Sequence, residues 1–141
     1  DDSIVRGNTS KKIIEIARKA GAKKVYFATA APPIISPDPY GIDMPTWTEL
    51  IAGTHSVEQI RKHIGADKLF YGKIEDLRWA VQRGNSKIKE FSEGCFTGKY
   101  PTPEVNKKFL KELGSHRNHT RDTHVDGSDE EGENYKMMTL V

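Results

Sequence analysis

The chain has 141 residues, with 22 basic against 20 acidic side chains, a formal net charge of +2 and a single cysteine, Cys95. So balanced a charge gives no basis for bulk electrostatic binding to nucleic acid or to a membrane surface. A mean hydropathy of −0.66 without any long apolar run excludes a membrane-spanning helix, and a lone cysteine forbids an internal disulfide.

The first ten residues read Asp1-Asp2-Ser3-Ile4-Val5-Arg6-Gly7-Asn8-Thr9-Ser10. They lead into an amphipathic helix. Ile13, Ile14, Ile16, Ala17 and Ala20 recur at roughly helical spacing, and Lys11, Lys12, Glu15, Arg18 and Lys19 fill the other face. Asn8, Thr9 and Ser10 each suit the N-cap, and Gly21 suits the C-terminal stop. This order sets paired acidic acceptors beside a nest of backbone N–H donors at a helix N-terminus. A phosphate wants those donors and the positive end of the helix dipole. Sugar hydroxyls, or a magnesium ion, want the carboxylates. On capping alone the run equally suits a well-capped helix with a polar lead-in; the doubled aspartate at its lip favours the site.

Val25-Tyr26-Phe27-Ala28 follows a Gly-Ala-Lys-Lys turn and reads as a short buried strand. Five prolines between Ala31 and Pro45 forbid regular helix or central strand there and predict a long ordered loop or flap. Thr46-x-x-Glu49 and Ser56-x-x-Gln59 each fit a capping box, starting short helices near Thr48 to Ala52 and Val57 to Ile64, the second closed by Gly65. Leu69-Phe70-Tyr71 reads as a second strand, and Ile74, Leu77, Trp79, Ala80 and Val81 as a helix face ending near Gly84-Asn85. The pattern is α/β, a βα repeat with a parallel sheet. Trp47, Trp79, Tyr71 and Phe70 are expected to pack, and His55 and His63 to lie at the surface. Val105, Phe109, Leu110 and Leu113 predict a short helix over 104–114. Residues 115–141 read as a polar, disordered tail. No carboxylate or cysteine spacing completes a metal site with His116, His119 and His124.

Asp1 to Thr9 resembles the phosphoribosyl pyrophosphate (PRPP) signature of type I phosphoribosyltransferases, in which apolar strand residues and two acids precede a Gly-Thr/Ser loop. The form DDSIVRGNTS is similar to that of the glutamine PRPP amidotransferase family, with Asn8 standing where threonine is commonest. Further segments agree, in the family's order: residues 22–28, Ala31-Pro32-Pro33, Tyr40 to Thr46, Glu49-Leu50-Ile51-Ala52 and Cys95-Phe96-Thr97-Gly98-Lys99-Tyr100-Pro101-Thr102. The resemblance covers residues 1–103. It implies the C-terminal part of a type I phosphoribosyltransferase-like parallel sheet with flanking helices, lacking its upstream strands and the N-terminal glutaminase domain. Alone, such a piece is expected to be inactive and to associate through open sheet edges.

The resemblance also implies a function: formation of 5-phosphoribosylamine from PRPP, the first committed step of purine biosynthesis, in the cytoplasm. The parent enzyme is expected to be a homo-oligomer, with purine nucleotides as feedback inhibitors. The backbone of Arg6, Gly7, Asn8 and Thr9 would hold the 5-phosphate, with the Thr9 and Ser10 hydroxyls as added donors and Ser3 in the same loop. Asp1 and Asp2 would take ribose hydroxyls or Mg²⁺, the choice staying open. Gly7 would let backbone and ligand approach closely. The Arg6 fork suits phosphate, and a solvated surface arginine equally well. Asp43 is a weaker candidate, since turn chemistry explains it as well. One branch of the family holds a 4Fe–4S cluster on four thiolates. Its cysteine positions correspond here to Cys95, Ser92 and Asp38, and serine and aspartate are poor substitutes for soft ligands, so a cluster-free member is expected. The rival reading is a non-catalytic regulator that senses PRPP, since binding and turnover use the same groups.

Overall fold

The computed structural model describes residues 1–41 and 46–122, with side chains described to residue 115. In chain order the elements are α1 (Asn8–Lys19), β1 (Tyr26–Thr29), a 3₁₀ turn (Trp47–Glu49), α2 (Ile51–Thr54), α3 (Val57–Ile64), β2 (Lys68–Tyr71), α4 (Ile74–Gln82), α5 (Gly94–Thr97) and α6 (Lys107–Asp122). β1 and β2 pair in parallel, Tyr26 opposite Lys68 and Thr29 opposite Tyr71, with α2 and α3 in the crossover. Asp1 extends this sheet on the other edge of β1. Its N–H group donates to Ala28 O (3.0 Å), and its own carbonyl accepts from Ala30 N (3.1 Å). Ala31 N then donates to Asp2 O (2.9 Å). These are the slanted bonds of a parallel ladder, so the two aspartates lie beside the carboxyl end of β1.

One face of the sheet carries the core. Phe27 packs with Ile4, Ile14 of α1, Ile51 of α2, and Ile60 and Ile64 of α3, with Leu69 and Tyr71 against them. Each fully buried isoleucine contributes about 1.5–3 kcal/mol. α1 ends in a Schellman motif: Ala22 N donates to Ala17 O and Gly21 N to Arg18 O, and Gly21 takes φ 97°. Both predicted capping boxes form, at Thr46/Glu49 and Ser56/Gln59, and Gly65 caps α3 in the left-handed region. A salt bridge closes the packed edge, where Asp67 Oδ2 accepts from Arg18 Nη2 (2.9 Å) and from Val25 N (2.7 Å).

Several expectations need correction. β1 is buried on one face only: Phe27 and Thr29 are covered, while Tyr26 is 55% exposed beside Phe70 of β2 at 53%. A run of apolar residues signals burial without saying on how many sides, and no described element covers this face. The apolar face of α1 is narrower than its periodicity implied, because only Ile14 points squarely at the core while Ile16 is 66% exposed. On α4, Leu77 is half-buried but Trp79 is exposed, with the Arg83 guanidinium over its ring. The helix expected to stop at residue 114 runs to Asp122. Its start is fixed by Asn106, whose Oδ1 accepts from Lys108 N and Phe109 N, and by burial of Leu110; the helix then propagates through polar residues at low cost. Residues 123–141 of the expected tail, His124 among them, lie outside the described residues, as does Asp43.

Over residues 31–41 the proline-rich segment is an ordered loop, as its composition predicted. Trp47 Nε1 donates to Ile35 O (2.8 Å), and Ile35 N and Ser36 N both donate to Cys95 O. Tyr100 Oη donates to Pro37 O (2.6 Å) and bonds Ser36 Oγ (2.6 Å). Ile34, Leu50 and Cys95 form a second buried cluster, with Val5, Trp47 and Phe96 packed against it.

Candidate functional site

Open α/β sheets bind ligands outside the carboxyl ends of their strands, and the opening motif sits there. After Asp2 the chain turns through Ser3 to Gly7 and enters α1. Gly7 is the N-cap, at φ 81°, and its carbonyl accepts the first helical bond from Lys11 N (2.9 Å). This corrects the expected cap: Asn8, Thr9 and Ser10 lie inside the first turn, and no side chain caps the helix. The left-handed backbone at this corner favours glycine over the usual Ser, Thr, Asp or Asn. First-turn amides have no intrahelical acceptor, and the positive end of the dipole lies on them. They therefore remain able to donate to an anion.

The eight site residues predicted in the opening motif line one cleft of ≈ 390 Å³: Asp1, Asp2, Ser3, Arg6, Gly7, Asn8, Thr9 and Ser10, with Val5 added. Asp1, Asp2, Asn8 and Thr9 are exposed there, and Ser10 is buried at 2% exposure. The two carboxylates fold back on the chain, Asp1 Oδ1 accepting from Asp2 N (3.0 Å) and Asp2 Oδ1 from Ser3 N (2.6 Å). Each carries a second carboxylate oxygen, a hard ligand for a cation and an acceptor for a hydroxyl. Packing supplies a reason of its own for glycine at position 7. A Cβ there would meet Ile51 Cδ1 at 3.3 Å, and His63 Cδ2 and Ile64 Cγ2 at 3.4 Å, so the close approach is to the protein beneath the loop.

Arg6 has a partner that sequence reasoning missed. Glu49 Oε1 accepts from its Nε (3.0 Å) and Nη2 (2.7 Å). The other oxygen, Oε2, accepts from Thr46 N (3.0 Å) and Thr46 Oγ1 (3.1 Å). Burial pushes the Glu49 carboxyl up, but the bonds from Arg6 and Thr46 outweigh it and hold the group below its ordinary value. The sequence showed Glu49 as a capping-box residue; its reach to Arg6, 43 positions away, is a tertiary fact without a local signal. Farther off, Cys95 is buried, and burial, with the Asp38 carboxylate nearby, pushes its thiol up. Asp38 itself accepts from Tyr40 N (2.7 Å), and Ser92 is exposed.

Among solved structures, the chain is similar to a glutamine PRPP amidotransferase from Bacillus subtilis complexed with ADP and GMP. The TM-score is 0.66 at 45% identity, over 76% of this chain and 24% of that one. It is also similar to a structure described as the allosteric regulatory enzyme of purine biosynthesis, with a TM-score of 0.68 at 43% identity over 81% of this chain and 25% of that one. The fold is therefore that of the type I phosphoribosyltransferases. Among curated proteins the relatives are amidophosphoribosyltransferases, as the motifs implied. The chain is 52% identical to the one from Escherichia coli and 50% to that from Pasteurella multocida, each over 118 residues. Both matches cover 84% of this chain, which spans only about 23% of those relatives' length. The archaeal relative from Methanocaldococcus jannaschii is 51% identical over 114 residues. No protein-family model matches the chain.

Proposed function

We propose that this chain is the PRPP-gripping part of an amidophosphoribosyltransferase, which forms 5-phosphoribosylamine at the first committed step of purine biosynthesis. The observation that carries the reading is the cleft itself. One loop brings two exposed carboxylates and an uncapped helix N-terminus to the carboxyl end of a parallel sheet. The amides of Arg6, Gly7, Asn8 and Thr9, with the Thr9 and Ser10 hydroxyls, hold the 5-phosphate, and Asp1 and Asp2 accept from the ribose hydroxyls or hold Mg²⁺. In such a transfer, pyrophosphate leaves C1 of the ribose and positive charge develops on the ring, as in glycoside cleavage. In this reading the anionic pair would stabilise that charge. The incoming nucleophile is ammonia from a glutaminase domain, so the loop need supply no general base; positioning and charge stabilisation carry the rate.

The residues fit magnesium. Among the described residues no group of three or more His, Cys, Asp or Glu forms a cage, and Mg²⁺ is commonly held by one or two carboxylates together with substrate phosphates. Asp1 and Asp2 supply those oxygens. Held there, Mg²⁺ would supply positive charge against the pyrophosphate leaving group. An iron–sulfur cluster fits poorly, because Cys95 stands with the oxygens of Asp38 and Ser92 where soft thiolates are needed; full-length protein without broad visible absorption and without stoichiometric iron is the expected result. No described helix is long and apolar enough to cross a membrane. The cytoplasm, a homo-oligomeric parent, a glutaminase partner and feedback by purine nucleotides complete the proposal. So does a division into a phosphoribosyltransferase segment over residues 1–103 and a separate C-terminal helix.

The test is titration of the complete enzyme with PRPP and magnesium, followed by isotope-shift mapping of the Gly7 to Ser10 amides. Binding that moves those amides supports the reading; a saturating titration that leaves them still refutes it. In the complete enzyme, Asp2→Asn is expected to reduce ammonia-dependent and glutamine-dependent synthesis alike. A loss confined to the glutamine-dependent rate would assign the carboxylate to domain coupling.

A further inference from the structure

The cleft is anchored from behind by a second segment. Ile51 N donates to Val5 O (3.0 Å), and Ile51 Cδ1 lies against the space a Cβ on Gly7 would fill. Two residues before Ile51, the Glu49 carboxylate divides its oxygens between Arg6 and Thr46. A guanidinium carries five N–H donors in one plane. Glu49 engages its Nε and Nη2 edge, and Nη1 carries two further donors on a side chain that lines the cleft. A flexible arginine at a cleft rim loses rotamer entropy when it binds an anion. One already fixed along an edge loses less, and its plane is set beforehand.

We propose that Glu49 is a positioning residue for the phosphoribosyl site, fixing the plane of the Arg6 guanidinium so that its remaining donors meet a ligand phosphate. The inference rests on the reading of the cleft as a PRPP site. It also explains why one carboxylate spans both contacts. Thr46 holds Glu49 in place at the start of the 3₁₀ turn, and Glu49 in turn holds Arg6. The sequence segment Glu49-Leu50-Ile51-Ala52 thereby acquires a role at a site to which it is remote in the chain.

Calorimetric titration with magnesium PRPP, combined with nitrogen-15 spectra of arginine side chains, tests this. In the complete wild-type enzyme the Arg6 Nε–H is expected to be protected from solvent exchange before ligand is added, and an unprotected signal overturns the positioning role without any variant. Glu49→Gln keeps an acceptor for Thr46 but removes the charge that grips Arg6. It is expected to lose that protection and to weaken PRPP binding about tenfold, while Arg6→Ala weakens binding at least as much and the double variant no further than Arg6→Ala. Wild-type binding with Glu49→Gln binding equally well overturns the inference and leaves the PRPP reading intact. So does a Glu49→Gln loss of the same size in the Arg6→Ala background. A complete wild-type enzyme that does not bind PRPP overturns both.

Discussion

Replacing Gly7 by alanine separates two costs that glycines usually confound. The residue sits at φ 81°, where an L side chain is strained by about 1–2 kcal/mol. An added Cβ would also lie 3.3 Å from Ile51 Cδ1 and 3.4 Å from Ile64 Cγ2, both on buried residues, and overpacking of this mild kind costs about 1 kcal/mol more. The expected loss for Gly7→Ala is thus about 2–3 kcal/mol. Gly21 is the control. Its φ is 97°, yet a Cβ there would meet nothing within 4 Å, so Gly21→Ala carries the backbone term alone, about 1–2 kcal/mol. Urea melts at one fixed protein concentration measure the difference directly. Only the Gly7 substitution is expected to disturb the first-turn amides of α1, and hence to weaken PRPP binding as well. If the two variants lose the same stability to within about 0.5 kcal/mol, packing beneath the loop does not explain glycine at position 7. If neither loses any, the left-handed strain argument fails too.

Tyr71 Oη is buried with no hydrogen-bond partner among the described residues, and burial pushes the phenol up to about 12. Tyr71→Phe removes an unsatisfied hydroxyl and is expected to be neutral or to stabilise by up to about 1 kcal/mol; a lowered melting temperature refutes the orphaned-hydroxyl argument. Because the folded-state value lies above the ordinary 10.0, the stability tied to the neutral phenol is present below that pH and is lost as pH rises through about 12, a loss that Tyr71→Phe should abolish. A Cβ on Gly94 would run into the Tyr100 ring, which Ser36 and Pro37 tether through its hydroxyl. Gly94→Ala is therefore expected to cost about 1–3 kcal/mol, with thermal melting as the readout and an unchanged midpoint as the contrary result. Glu93, through its hydrogen bonds from Arg78, and Glu49 both titrate below the ordinary carboxylate value of 4.5 in the folded chain. Their contribution to stability is present above that pH and is lost as pH falls through the lowered values; stability that stays level on acidification to that range, in a salt-controlled urea series, counts against these pairs.

The fold was legible where local chemistry decides it. Capping boxes at Thr46 and Ser56, the Gly65 stop and the described part of the proline-rich loop, residues 31–41, each follow from a few adjacent residues and stand where expected. The parallel pairing was legible because a helix-containing crossover between two short apolar runs leaves little alternative. Burial was less legible. Ile13, Ile16, Tyr26, Phe70 and Trp79 are apolar, and periodicity assigns them to a core, yet they are exposed among the described residues. Hydrophobic pattern records what a side chain favours, while burial depends on a second surface to meet it. The length of α6 was not legible for the opposite reason: its last turns extend a helix anchored at Asn106 and Leu110, which a polar composition neither demands nor forbids.

The site divides along the same line. Asp1 to Ser10 could be grouped from sequence because a phosphate loop is a local device, its donors and acceptors supplied by consecutive residues. The structure gathers those residues around one cleft. What orders the loop is not local. Gly7 owes its identity to Ile51, His63 and Ile64, and Arg6 owes its orientation to Glu49. Each of these partners is far along the chain from the residue it supports, and each had a sufficient local explanation as a capping, packing or surface residue. A motif search finds the groups that touch a ligand, since their spacing is dictated by the ligand's own dimensions. It overlooks the groups that hold them still, since any element folded to the right place can supply those. The first consequence is that substitutions at Glu49 or Ile51 should alter ligand affinity while leaving every residue of the opening motif unchanged. The second is that transplanting Asp1 to Ser10 onto another βα unit, without the Glu49–Ile51 segment beneath it, should yield a loop with the right donors and weak binding.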